Sequence, residues 1–233
     1  MTRALEADGL VLSWDGGETI VARDISLGVD AGETVCLVGR SGCGKTTILH
    51  ALSGLERPVS GTVRVAGEDV TGVPGHVSYM LQKDLLLPHL RIVDNACLPL
   101  RLSGVPKQEA RDRARELMGR FGLEGTEELW PSQLSGGMRQ RAAFLRTYLM
   151  GNDVVLLDEP FSALDALTRT DLRDWYVQMA AQLGLASVVI THDVDEAVAM
   201  ASRVYVLGGK PSQVVEEVVV GDGARDRILE LLA

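Results

Sequence analysis

The chain has 233 residues, of which 46% are hydrophobic and 24% charged, so it can bury a full core and is not a disordered chain. Its 23 basic and 32 acidic residues leave a net charge of −9, which excludes a general binder of the nucleic-acid backbone. Three cysteines, Cys36, Cys43 and Cys97, give neither a disulfide framework nor a metal-ligand spacing and fit a reducing compartment.

The N-terminus carries Glu6 and Asp8 where a secretory signal needs an apolar run. No stretch approaches the ~20 apolar residues of a membrane span, so any work at a membrane runs through a partner. Leu10–Leu12 and a segment near Ile20 to Val29 read as strands, followed by a turn at Val29–Glu33. Thr34–Val38 reads as a strand buried on both faces, and a helix is expected over Lys45–Ser53, stopped by Gly54 and Pro58. Val63–Val65 and Val77–Met80 are further strands.

From about residue 85 to 150 the chain turns helical and strand-poor. Ala110, Ala114, Leu117, Met118 and Phe121 fall on one helical face there. Strands return at Val154–Leu157, Ser187–Ile190 and Val204–Leu207, separated by helices over Ala166–Leu183 and Val194–Met200. Val214–Val220 reads as an edge strand and Ala224–Leu232 as a terminal helix. Strands alternating with helices predict a mostly parallel α/β sheet.

Three segments carry chemistry. Gly39-Arg40-Ser41-Gly42-Cys43-Gly44-Lys45-Thr46 fits the pattern Gly-x-x-x-x-Gly-Lys-Ser/Thr between a strand and a helix. Its glycines let successive backbone N–H groups point at an anion, and the helix N-terminus adds its dipole. Lys45 then offers a cation to the β- and γ-phosphates of a nucleotide, and Thr46 a hydroxyl to Mg²⁺. Four apolar residues deliver Asp158 and Glu159 to the C-terminal edge of the sheet, where ligands of open α/β sheets collect. Asp158 is expected to hold Mg²⁺ and Glu159 to orient and deprotonate an attacking water. Finally, Ser135, Gly136 and Gly137 precede a helix expected over Met138–Met150 and make a second anion cradle.

Through Leu134-Ser135-Gly136-Gly137-Met138-Arg139-Gln140-Arg141, which looks like the ABC signature, the sequence resembles the ATPase subunit of an ABC transporter, over about Gly9 to Val206. The resemblance implies a P-loop core of mostly parallel sheet (residues 1–84 and 151–233). It adds an N-terminal antiparallel β portion and an inserted helical lobe (about 85–150). It implies that residues 39–46 and Thr47 bind ATP, with Trp14 stacking on adenine. Leu134–Met138 would cap the γ-phosphate of ATP held by the opposite subunit. Gln82 would touch Mg²⁺ and the attacking water, His192 the γ-phosphate, and Ser162-Ala163-Leu164-Asp165 would cross the dimer interface. ATP and Mg²⁺ are the implied cofactors.

The implied partners are a second ATPase subunit in a homodimer, two membrane permease subunits and an extracytoplasmic solute-binding protein, with no nucleic acid. The implied location is the cytoplasmic face of the membrane. Leu86–Asn95, Leu98–Leu102 and Phe161–Arg169 resemble bacterial importers of the nitrate, sulfonate and taurine group, which includes carriers of thiamine-pyrimidine precursors. Phe144–Tyr148 and Tyr79–Leu81 depart from the usual pattern without removing a catalytic group. A soluble ATPase of the same family, for example in iron–sulfur assembly, is the alternative, and an export role from separate subunits also stays open.

Overall fold

The computed structural model describes residues 3–15 and 17–233; Met1 and Thr2 of the acidic N-terminus, and Gly16, lie outside them. The chain runs β1 (Arg3–Ser13), β2 (Ile20–Asp30), β3 (Thr34–Gly39), α1 (Lys45–Leu52), β4 (Ser60–Val65), β5 (Glu68–Asp69) and β6 (Ser78–Met80). Four helices follow: α2 (Ile92–Ala96), α3 (Leu98–Leu102), α4 (Lys107–Met118) and α5 (Gly136–Tyr148). The chain closes with β7 (Val154–Asp158), α6 (Ala166–Leu183), β8 (Ala186–Thr191), α7 (Val194–Met200), β9 (Arg203–Gly208), β10 (Gln213–Val219) and α8 (Ala224–Leu232).

The strands form two sheets. An antiparallel sheet has the order β2-β1-β4-β5, and a six-stranded sheet has the order β10-β9-β3-β8-β7-β6. The second is parallel except for β10, which pairs antiparallel with β9 at the edge. The expected fold class is therefore borne out.

The period of two along each central strand sends its apolar residues to two different layers. Val35, Leu37, Leu156, Val188 and Ile190 pack towards α1 and the antiparallel sheet, with Leu5, Ile25, Ile48 and Leu49. Cys36, Val38, Val155, Leu157 and Val189 pack the other way, with Phe144, Phe161 and Ile228. With both faces covered, every residue of β7 and β8 is buried. The helices between β6 and β7 share this second layer through Ile92, Ala110, Ala114, Met118 and Phe121.

Several details differ from the sequence expectation, three of them informative. β1 starts at Arg3, not near Leu10, because Leu5 and Ala7 alternate inward although acidic residues separate them. The two-residue β5 carries no apolar signal. And α5 starts at Gly136, so both signature glycines lie inside its first turn. Ser135 is its cap, its hydroxyl accepting from the Met138 amide at 3.3 Å. A Cβ on Gly136 or Gly137 would come within about 3 Å of Leu164 Cδ2 or Thr168 Cγ2, so a larger residue there requires those side chains to give way.

One polar cluster locks the turn before β3 to β9. Arg203 pairs with Glu33 (2.6 Å) and Glu217 (2.9 Å), and it donates to the Gly28 carbonyl (3.1 Å). Burial alone would raise the Glu33 carboxyl, but hydrogen bonds from Arg203, the Asp30 amide and Ser202 outweigh it and bring it from 4.5 down to about 2. Because the folded value is the lower one, this contribution to stability is whole above about pH 4.5 and fades as pH falls towards 2. Glu33→Gln is therefore expected to lower Tm most near neutrality. The gap to the unaltered protein should narrow in melts taken between pH 4.5 and 2.

Candidate functional site

Strand register brings four chain segments to one edge. Val38 pairs with Thr191, Asp158 with Ile190, and Met80 with Leu157. The residues that follow these pairs are the Gly39 loop, His192, Glu159 and the Leu81-Gln82 turn, all at the C-terminal ends of parallel strands.

The loop from Gly39 to α1 turns on Gly42 (φ 77°) and Gly44 (φ 91°), backbone angles that favour glycine. Lys45 is only 6% exposed. Its Nζ donates to the carbonyls of Gly39 (2.9 Å) and Arg40 (3.2 Å), which holds the ammonium across the loop. Arg40 and Ser41 are exposed, and Cys43 is half-buried beneath them with its carbonyl accepting from the Ser212 hydroxyl. Trp14 stays 69% exposed, so it is not a core residue. Its indole N–H donates to Thr47 Oγ1 at 3.1 Å, which anchors the ring to α1 beside the loop. Trp14, Ser41, Gly42, Cys43 and Lys210 line one cleft.

The Thr46 hydroxyl donates to Asp158 Oδ2 at 2.9 Å, and the Tyr79 hydroxyl donates to the same oxygen at 3.4 Å. Burial pushes the Asp158 carboxyl up and the hydrogen bond from Thr46 works against it, while nearby Glu159 adds to the rise. The donor set fits Mg²⁺. The Thr46 hydroxyl and the Asp158 carboxylate are hard ligands, and such a site leaves the remaining positions to phosphate, water and a side-chain amide oxygen such as that of Gln82. Among the described residues, no group of three or more His, Cys, Asp or Glu could hold a metal ion by itself.

Glu159 occupies left-handed backbone (φ 43°), an uncommon state for a side chain of its size and one that collects at functional sites. Its amide donates to the Ile190 carbonyl (3.0 Å) and its carbonyl accepts from the Ser162 hydroxyl (2.9 Å). These two bonds fix the turn. The carboxylate is held as well: Gln82 Nε2 lies 3.3 Å and His192 Nδ1 3.2 Å from Oε2. The three residues expected to act on water and γ-phosphate thus meet at one oxygen.

Ser135, Gly137 and Met138 face a different cleft, shared with Arg141, Thr168 and Asp171; it has no residue in common with the Trp14 cleft. Leu134 is buried beneath that cap. The loop Ser162–Asp165 runs between the two regions. Leu164 packs on Gly136, Ala163 lies beside it, and Asp165 caps α6 by accepting from the Thr168 amide (3.1 Å).

Sequence reading missed two participants. Tyr79 figured only as a departure from the usual run, although its hydroxyl reaches Asp158. Arg169 figured only in the importer resemblance; it donates to the Leu164 carbonyl (3.1 Å) and lies 3.8 Å from Asp193. No local spacing reveals either contact.

Comparison with known proteins adds an independent line. The family profile described as ABC transporter matches residues 22–162. The chain is 40% identical over 208 residues to the formylaminopyrimidine import ATP-binding protein ThiZ of Halalkalibacterium halodurans, covering 89% of this chain and 81% of that protein. It is 39% identical over 218 residues to the taurine import ATP-binding protein TauB of Pseudomonas aeruginosa, covering 93% and 83%. Among solved structures, the dimeric bacterial ABC transporter cassette MJ0796 superposes with a TM-score of 0.79 at 26% identity, over 93% of this chain and 99% of that one. The same cassette has been solved as a dimer in a post-hydrolysis state with ADP and Pi.

Proposed function

This chain belongs to the ABC transporter family and is one of its ATPases, and from that premise we propose that it is the ATP-hydrolysing subunit of a bacterial importer. The solute is a small molecule of the nitrate, sulfonate, taurine or thiamine-precursor kind. The observation that carries the hydrolytic part is the meeting of Gln82, Glu159 and His192 at Glu159 Oε2, beside the Thr46–Asp158 pair.

Two copies pair head to tail. The loop of residues 39–46 wraps the phosphates of ATP with backbone N–H groups, Lys45 neutralises charge on the β- and γ-phosphates, and Trp14 stacks on the adenine. Ser135 of the partner subunit, with its two glycines and helix N-terminus, closes on the γ-phosphate from the other side. Thr46, Asp158 and Gln82 would hold Mg²⁺, which would supply positive charge to the phosphates. Both contacts to Glu159 fall on Oε2, so Oε1 takes the proton of the attacking water. The water oxygen bonds to the γ-phosphorus, the bond to the β–γ bridging oxygen breaks, and ADP leaves with that electron pair. His192 steadies the γ-phosphate through the change.

Before cleavage, the anionic phosphates bridge two positive cradles that would otherwise repel. Cleavage removes the bridge and the pair opens. The part of the helical lobe around Gln82 to Leu102 carries that motion to two membrane permeases, which receive solute from an extracytoplasmic binding protein. Among the described residues, no helix is long and apolar enough to cross a membrane.

Stacking of a base on an aromatic ring contributes about 1–3 kcal/mol. Trp14→Ala is therefore expected to weaken ATP binding about 5- to 150-fold while leaving kcat near its original value, as read by nucleotide titration and steady-state turnover. The transport reading is tested by purifying the chain from its native membrane. Permeases should come with it, and Mg²⁺-dependent phosphate release should rise with solute and binding protein. A chain recovered without membrane proteins, with turnover indifferent to every solute in the group, contradicts it.

A further inference from the structure

The helix that begins at the Ser135 cradle also grips both catalytic turns. Arg139, on the first turn of α5, donates from Nη1 to the Leu134 carbonyl (2.9 Å) and from Nε to Asp84 Oδ2 (3.3 Å). Arg146 lies seven residues on, on the same face. Its guanidinium spans two successive carbonyls, Asp84 (2.5 Å) and Leu85 (2.8 Å). Asp84 Oδ1 accepts from the Leu86 amide (3.1 Å), and Leu85 is held in left-handed backbone at φ 45°. A turn this tightly bonded moves with the helix that holds it, and it starts two residues after Gln82.

The second grip lies between the two arginines. The side chain of Gln140, itself buried, donates from Nε2 to the Pro160 carbonyl. Pro160 directly follows Glu159, whose backbone is already fixed by Ile190 and Ser162. One helix therefore carries the cradle at its N-terminus and, on its side, the turns that place the glutamine and the carboxylate.

We propose that Arg139, Gln140 and Arg146 are positioning residues that make α5 a rigid connection between the signature cradle and the catalytic turns. When Ser135 closes on the nucleotide held by the partner subunit, the same helix brings this chain's own Gln82 and Glu159 into register with the water at its own nucleotide. Filling one site then readies the other, and the pair hydrolyses ATP cooperatively. This inference rests on the two-copy reading given above.

The test measures ATP turnover against ATP concentration for the full chain and for Arg139→Met, Gln140→Leu, Arg146→Met and Arg146→Lys. The unaltered chain should show a Hill coefficient between about 1 and 2, the upper limit for two sites. Arg146→Met and Gln140→Leu should lower kcat at least about tenfold, because small misplacements of reacting groups are costly, and bring the Hill coefficient to about 1 with KM within about twofold. Arg146→Lys, which keeps the charge but not the fork, should recover part of both. Asp84→Ala combined with Arg139→Met should be no worse than the poorer single variant, as one broken contact requires.

A merely structural role lowers the active fraction and leaves the Hill coefficient alone. Folded variants that keep the parental Hill coefficient overturn the proposal, whatever their kcat. If Arg146→Met does not fold, the more exposed Arg139→Met carries the same test. An unaltered chain with a Hill coefficient of 1 and no ATP-dependent pairing overturns the two-copy reading itself, and this proposal with it.

Discussion

Glu159→Gln is expected to bind ATP but turn it over about 10²- to 10⁴-fold more slowly. The amide keeps the size of the carboxylate and can still meet Gln82 and His192, which lie 3.3 and 3.2 Å from Oε2. It cannot take a proton from water. General-base catalysis contributes about 10²- to 10⁴-fold, so phosphate release is expected to fall by that factor while ATP is retained. Single-turnover phosphate release and filter binding of labelled ATP measure the two separately. Release within about tenfold of the unaltered protein means that another group removes the proton.

Lys45→Met loses the nucleotide. The ammonium is 6% exposed and already aimed across the loop by the Gly39 and Arg40 carbonyls, so it meets the phosphates desolvated and preorganised. Hydrogen bonds to charged groups contribute about 1.5–3 kcal/mol each, so affinity for ATP is expected to fall about 10- to 100-fold. Methionine fills the same space with an apolar chain, so the melt without nucleotide should stay close to that of the unaltered protein. What disappears is the rise in Tm on adding ATP. A titration giving an affinity within about twofold of the original contradicts the assignment.

Much of the fold was legible because the central strands announce themselves. Val154–Leu157 and Thr34–Val38 are apolar on both faces and end in Asp158-Glu159 and Gly39, so strand, edge and chemistry coincide in a few residues. The phosphate loop and the Ser135 cradle are local too: each places glycines at or just before the first turn of a helix, within a few residues of sequence. β1 was legible only at its apolar end, since Glu6 and Asp8 mask the inward Leu5 and Ala7. The start of α5 was misplaced because glycine has poor helix propensity, and tertiary contact with Leu164 and Thr168 overrides it.

The rest of the site was hidden for one reason, sequence distance. Tyr79 and Asp158 are joined only by the pairing of β6 with β7. Arg139 and Arg146 meet Asp84 and Leu85 across the whole helical segment, and nothing in the local pattern of α5 separates them from surface arginines. The His50 ring lies edge-on to Tyr79, with Nδ1 3.1 Å from Glu56 Oε1, another contact that sequence spacing does not show.

That one nucleotide is gripped by two chains is tested most directly by the solution mass of Glu159→Gln with ATP. Light scattering should give about twice the 25.1 kDa of one chain. Adding Ser135→Arg to the same protein places a bulky cation in the cradle; ATP should stay bound while the mass returns to 25.1 kDa. A double variant that pairs as readily as Glu159→Gln alone, or a Glu159→Gln chain that stays single with ATP fully bound, contradicts the account.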